Sequence, residues 1–152
     1  MPVPKLISIP AIDVRAPVIP LGLNSDGTLE VPTSITDTGW FRGGPEPGEP
    51  GASILVGHVD STAGPGVFYH LRALHRGDEI EIRLADGSTV RFTVRSFFST
   101  PKTEFPTDRV YRHGGAPTLD LITCDGAFDQ AAGHYLDNYV VVAKLTSIDM
   151  AA

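Results

Sequence analysis

Two residues in this sequence have the types and settings for nucleophilic chemistry. Cys124 is the single cysteine in 152 residues. It closes the run Thr118-Leu119-Asp120-Leu121-Ile122-Thr123-Cys124, and Asp125-Gly126 follows as a turn signal. His58 closes a second run, Ala52-Ser53-Ile54-Leu55-Val56-Gly57-His58, ahead of Val59-Asp60-Ser61 and the loop Ala63-Gly64-Pro65-Gly66. A run that breaks into a turn straight after its cysteine reads as a strand presenting sulfur at a rim, whereas a core cysteine usually has apolar neighbours on both sides. A thiol with an ordinary pKa near ~8.5 is mostly protonated at neutral pH, and an imidazole or a positive field beside it favours the thiolate. If the two strands are neighbours, imidazole and thiol meet at one rim and acyl transfer becomes available. Backbone N–H groups in the turn after the cysteine, or a cationic or amide side chain nearby, would then hold the oxyanion.

Two other chemistries compete for these residues. His58-Val59-Asp60, with His134 or Cys124, could ligate a metal, although ligand pairs at short helical spacing are absent from the sequence. Alternatively the chain is a non-catalytic β module that binds peptide along its grooves, with Cys124 buried as a small hydrophobe. His70 and His75 close no apolar strand and read as surface or helix-end residues.

Composition narrows the class. A length of 152 residues fits one domain with a core that needs no disulfides. One cysteine excludes an internal disulfide framework and any multi-cysteine zinc site. A net charge of −6 argues against nucleic acid as the main partner, because phosphate binding needs clustered Lys and Arg. No apolar run approaches the ~20 residues that span a bilayer, and no signal peptide is visible. The 16 glycines and 13 prolines punctuate the apolar runs, as in a β-rich fold with many turns.

The elements that must position Cys124 and His58 follow from that punctuation. Leu6–Ile9, Ala11–Val14 and Pro17–Pro20 read as short edge strands or strand ends, limited by Pro10, Pro17 and Pro20. Residues 24–50 read as a turn-rich loop interrupted by Leu29-Glu30-Val31 and Trp40-Phe41. Val67, Phe68, Leu71 and Leu74 have the spacing of one or two helical turns. Glu79–Leu84 and Thr89–Arg95 alternate strictly around Ala85-Asp86-Gly87-Ser88. They predict a hairpin with Ile80, Ile82, Leu84, Val90, Phe92 and Val94 inward and glutamates facing arginines outward. Residues 97–117 read mostly as loop, and Tyr139–Leu145 as a buried strand. Seven or eight short strands with few helices imply an all-β domain, a closed or nearly closed barrel.

Asp37-Thr38-Gly39-Trp40-Phe41, Gly57-His58-Val59-Asp60-Ser61, Leu121-Ile122-Thr123-Cys124 and the final Tyr139–Leu145 strand, in this order, resemble a sortase, most closely the class F group of actinobacteria. The L,D-transpeptidases, another cysteine/histidine family, set a glycine and an arginine tightly around the cysteine, which Cys124-Asp125-Gly126 does not match. The resemblance implies a closed eight-stranded β-barrel with one or two short helices, forming a catalytic domain over residues 1–152. It implies a cysteine transpeptidase that cuts an LPxTG-like sorting signal between Thr and Gly. Cys124 would form a thioester, and His58 would protonate the leaving amine and deprotonate the incoming one. The implied partners are surface proteins bearing that signal and an amine acceptor on a cell-wall precursor, with no cofactor, no metal and a monomeric protein. Thr123, Asp125 and Asp60 flank the pair and are the candidates for lining the substrate groove.

Two features depart from the family. Its arginine on the last strand falls here at or near Asn138, and no arginine follows Arg112. Asn138 can donate a hydrogen bond without charge; the other candidates for the role are Arg109 and Arg112. Sortases also carry an N-terminal membrane helix. The resemblance therefore implies that this chain is the soluble catalytic part of a protein anchored at the extracellular face of the membrane.

Overall fold

The clearest local pattern in the sequence forms as expected and sets the frame for the rest. In the computed structural model, β7 (Glu79–Leu84) and β8 (Thr89–Pro101) pair antiparallel with Ile82 opposite Val90 and Ile80 opposite Phe92. All six alternating apolar residues are buried. Gly87 (φ +88°) supplies the left-handed residue of the turn, which Ser88 closes by donating its N–H to Asp86 Oδ1 at 2.9 Å. On the outer face Arg91 gathers Glu81 at 3.2 Å, Glu79 at 3.3 Å and Asp149. The structure describes residues 1–25, 29–61, 64–104, 110–129 and 134–151, with side chains for all of these except 104, 124–129, 134 and 135.

The remaining strands are β1 (Pro4–Ile9), β2 (Val14–Leu21), β3 (Thr38–Phe41), β4 (Ala52–Val56), β9 (Thr118–Asp129) and β10 (His134–Asp149). With β7 and β8 they close a barrel in the order β1-β2-β3-β4-β9-β10-β8-β7. A small hairpin of β5 (Asp60–Ser61) and β6 (Gly64–Pro65) stands apart. Short 3-10 turns lie at Pro10–Ile12, Leu71–Ala73 and Lys102–Glu104. Of the residues expected on a helical turn, Phe68, Leu71 and Leu74 are buried in the main core and Val67 packs against it partly buried. Among the described residues no helix is long and apolar enough to cross a membrane.

Three expectations about strand extent change. The proline-bearing segments β1 and β2 are not edges, because closure gives β1 both β2 and β7 as partners and β2 both β1 and β3. Thr38–Phe41, expected as part of a loop, is a wall strand parallel to β2. β8 continues beyond Arg95 to Pro101, since β10 pairs with it from Asp137↔Pro101 to Asp149↔Thr89.

Two apolar clusters result, one on each side of the wall. The larger fills the barrel with residues of all eight barrel strands, among them Ile7, Val18, Trp40, Leu55, Phe92, Leu119, Leu121 and Val141. The smaller lies outside: Ala52 and Ile54 of β4, Ile122 of β9 and Val140 and Val142 of β10, flanked by Phe41, Val56, Phe98, Val110 and Tyr111. Alternation along each strand sends odd and even positions to opposite faces, so β4, β9 and β10 are apolar on both. Phe41 and Tyr111 meet edge to face above the outer cluster with ring centroids 5.6 Å apart. Burial raises the Tyr111 hydroxyl above its usual pKa.

Candidate active site

β4 and β9 run parallel and in constant register, from Ala52 opposite Thr118 to Val56 opposite Ile122. Gly57 continues the ladder by donating its N–H to Ile122 O at 3.1 Å. Two residues beyond Val56 and Ile122 come His58 and Cys124, so the same step past the ladder carries both chemically able residues. Neighbouring strands lie about 4.8 Å apart, which puts these two stretches of backbone at one end of one wall. β10 adds a third member, because Asn138 is the Cα partner of Cys124 and Val140 that of Ile122. Val56, Ile122 and Val140 thus form one apolar row across the outer face, and positions 58, 124 and 138 form the next row of the same parity.

The backbone at His58 is fixed from several sides. Phe68 N donates to His58 O at 3.0 Å and Gly66 N to Val59 O at 2.8 Å, so the chain returns from the β5–β6 hairpin directly onto the histidine. Gly66 has to be glycine for this: a Cβ there would sit 2.2 Å from His58 O. The imidazole is half-buried, and its Nε2 lies 2.6 Å from the carbonyl oxygen of Pro32. That carbonyl can only accept, so Nε2–H donates.

The cysteine strand differs from its expected form. β9 does not end at Cys124 but runs to Asp129, with Asp125 opposite Asp137 and Asp129 opposite His134. Asp125 is therefore in the ladder, and Gly126 lies within the strand at the register shift between Tyr135 and Asp137 and not in a turn; pairing with β10 overrides the local turn preference. Over the described residues 125–129 no turn follows the cysteine to supply oxyanion donors. What ends at this level is β4, on the other side of β9.

The flanking candidates separate. Asp60 lies half-buried on β5, two residues past His58. Thr123 is only 5 % exposed and has the parity of Leu119 and Leu121, so its side chain faces the interior and does not line the outer face. Arg112 is held within its own loop, donating to Gly114 O, to Ala116 O at 2.8 Å and to Thr118 Oγ1 at 3.1 Å. Thr118 is six residues before Cys124, about 20 Å along the strand, so Arg112 does not reach the rim. Arg109 and the loop 130–133 lie outside the described residues. Asn138 is half-buried beside the cysteine position. His70 and His75 are exposed, as expected. Among the described residues no three His, Cys, Asp or Glu side chains converge as a metal site.

The outer apolar row was not singled out in the sequence, yet it left a signal there. Ile54-Leu55-Val56, Leu121-Ile122 and Val140-Val141-Val142 are apolar at both parities, the mark of strands covered on both faces.

The model of the sortase domain matches residues 7–146. The chain belongs to the sortase family. Among solved structures it is similar to sortase A of Listeria monocytogenes, at 20 % identity and a TM-score of 0.74, covering 100 % of this chain and 92 % of that one. Sortase C-1 of Actinomyces oris gives 25 % identity and 0.72, over 94 % and 73 %. The sortase D5 transpeptidase of Clostridium perfringens gives 26 % and 0.69, over 96 % and 79 %. Comparison with curated proteins gives no match.

Proposed function

We propose that this sortase domain is a cysteine transpeptidase acting on an LPxTG-like sorting signal, with Cys124 as nucleophile and His58 as general acid and base. The observation that carries the reading is the shared row of His58, Cys124 and Asn138 next to the apolar row of Val56, Ile122 and Val140. Val56, half-buried at the end of the outer cluster, offers an extended peptide an apolar contact one row from the cysteine position.

In the first half-reaction the Cys124 thiolate adds to the Thr carbonyl carbon of the signal. The Thr–Gly C–N bond breaks as the His58 imidazolium protonates the departing amine, leaving a thioester. In the second, an amine of the cell envelope attacks the thioester, His58 takes its proton, and sulfur departs as thiolate. Asn138 supports the oxyanion or the bound peptide in place of the family's arginine. Asp60 borders the peptide path. The mechanism uses no cofactor. The spellings Asp37–Phe41 and Gly57–Ser61 favour class F within the family, and the family's usual setting places the whole protein at the extracellular face of the membrane.

The test is mass spectrometry of the protein mixed with an LPxTG peptide, with and without an added amine. A peptide-sized adduct on Cys124, discharged by the amine and absent in Cys124→Ala, is expected. Reversible peptide binding with no adduct and an unreactive thiol would leave the non-catalytic β module as the better description.

A further inference from the structure

The bond between His58 and Pro32 joins residues 26 apart in sequence and lies outside the two-residue chemistry described above. We infer that the Pro32 carbonyl is a positioning group for His58, holding the ring with its proton on Nε2 and leaving Nδ1 as the nitrogen that exchanges protons at the rim. This inference rests on His58 being the acid/base of the proposed reaction.

The chemistry of the acceptor selects the tautomer. A carbonyl oxygen has no proton to give, so at 2.6 Å it is compatible with Nε2–H and not with a bare Nε2. The bond persists whether the ring is neutral as the Nε2–H tautomer or protonated on both nitrogens. Only the Nδ1–H tautomer breaks it. The proton that comes and goes is therefore the one on Nδ1, and the ring need not turn between the two half-reactions.

The segment that carries the carbonyl is built to hold still. Proline fixes φ of residue 32 near −65° and holds Val31 extended, which narrows the conformations open to the segment that carries the carbonyl. Pro32 is buried although it lies between the exposed Val31 and Thr33. The following residues fold into a hydroxyl-closed turn, with Ser34 Oγ 2.9 Å from Thr36 Oγ1 and accepting from Thr36 N at 3.3 Å. Val67 N donates to Ile35 O at 2.7 Å, and Phe68 N, the next amide, donates to His58 O. One short stretch thus ties the Pro32 segment and the histidine backbone to each other.

Histidine tautomers are read directly from long-range 1H–15N spectra of protein labelled at its histidines, with His58→Gln identifying the His58 signals. Expected is a neutral His58 ring protonated on Nε2 alone; an Nδ1–H ring, or an exchanging mixture, overturns the inference. This spectrum needs no turnover, so it reads the inference even if the protein joins no peptide. In kinetics, replacing His58 by Nδ1-methylhistidine is expected to cost about a thousandfold, the loss of the acid/base itself. Nε2-methylhistidine, which keeps Nδ1 but forfeits the Pro32 bond, is expected to cost about tenfold to a hundredfold. The reverse order would also overturn it.

Discussion

Cys124 and Asn138 are direct partners across the antiparallel ladder of β9 and β10. Residues so opposed have Cβ atoms about 5 Å apart, within reach of an amide side chain. Arg112, the other candidate for this place among the described residues, is engaged near the other end of β9. Asn138→Ala is expected to lower kcat about a hundredfold with little change in KM, the scale of losing one oxyanion donor. Asn138→Arg is expected to retain at least the parental rate, because a charged donor bonds an oxyanion more strongly. Steady-state kinetics on an LPxTG peptide decide this, and an unchanged kcat in Asn138→Ala removes Asn138 from the reaction.

Gly66→Ala is expected to injure activity more than folding. Its Cβ would collide with His58 O and push back the backbone that carries the imidazole. Overpacking of this kind costs about 1–3 kcal/mol in stability, whereas a displacement near 1 Å at a catalytic group costs about a hundredfold in rate. Gly114→Ala is the matched control, since a Cβ there meets nothing within 4 Å. Thermal melts and peptide kinetics on both variants test the contrast. Equal activity would show that the histidine tolerates the shift.

Val56→Ser tests the floor of the peptide path. Val56 is half-buried at the end of the outer cluster, one row from the candidate site. Removing apolar contact that is the same in bound substrate and transition state raises KM without lowering kcat. About a tenfold rise in KM is expected for a peptide with the Leu-Pro of the signal, and no change would place the peptide elsewhere.

Asp86 makes stability pH-dependent at a site far from the chemistry. The backbone N–H of Ser88, then its side chain, hold the Asp86 carboxyl below its usual pKa. A depressed carboxyl stabilises the fold above its unfolded value near ~3.9 and loses that effect as pH falls through the folded value. Asp86→Ala is expected to melt below the parent at neutral pH, with the gap closing as the medium is made acidic enough to protonate the carboxyl. Melting curves across that range check the sign; a gap that widens in acid contradicts it.

The sequence was most legible where pairing is local. The β7–β8 hairpin, its inward residues and its turn follow from alternation and Asp86-Gly87, and every expected core residue is buried. Long-range pairing was less visible. β3 has four residues and sits among glycines and prolines, and its parallel contact with β2 and antiparallel contact with β4 make it a strand. β9 passes through Asp125-Gly126 because β10 lies alongside, and nothing in those two residues announces a partner that begins at His134. The parallel pairing of β4 with β9 joins segments 66 residues apart, beyond any local pattern. His58 and Cys124 stand out in the sequence because each closes an apolar run, but only β4 stops at that level while β9 runs on to Asp129.

A wall one strand thick divides labour by parity. On β9, Leu119 and Leu121 answer to the barrel interior, while Ile122 answers to whatever lies against the outside. Selection can therefore retune the outer residues for a new ligand while the inner ones preserve the fold, with little crosstalk between the two sets. The same arrangement makes alignment unforgiving: a slip of one residue between β9 and its neighbours would exchange the two sets wholesale.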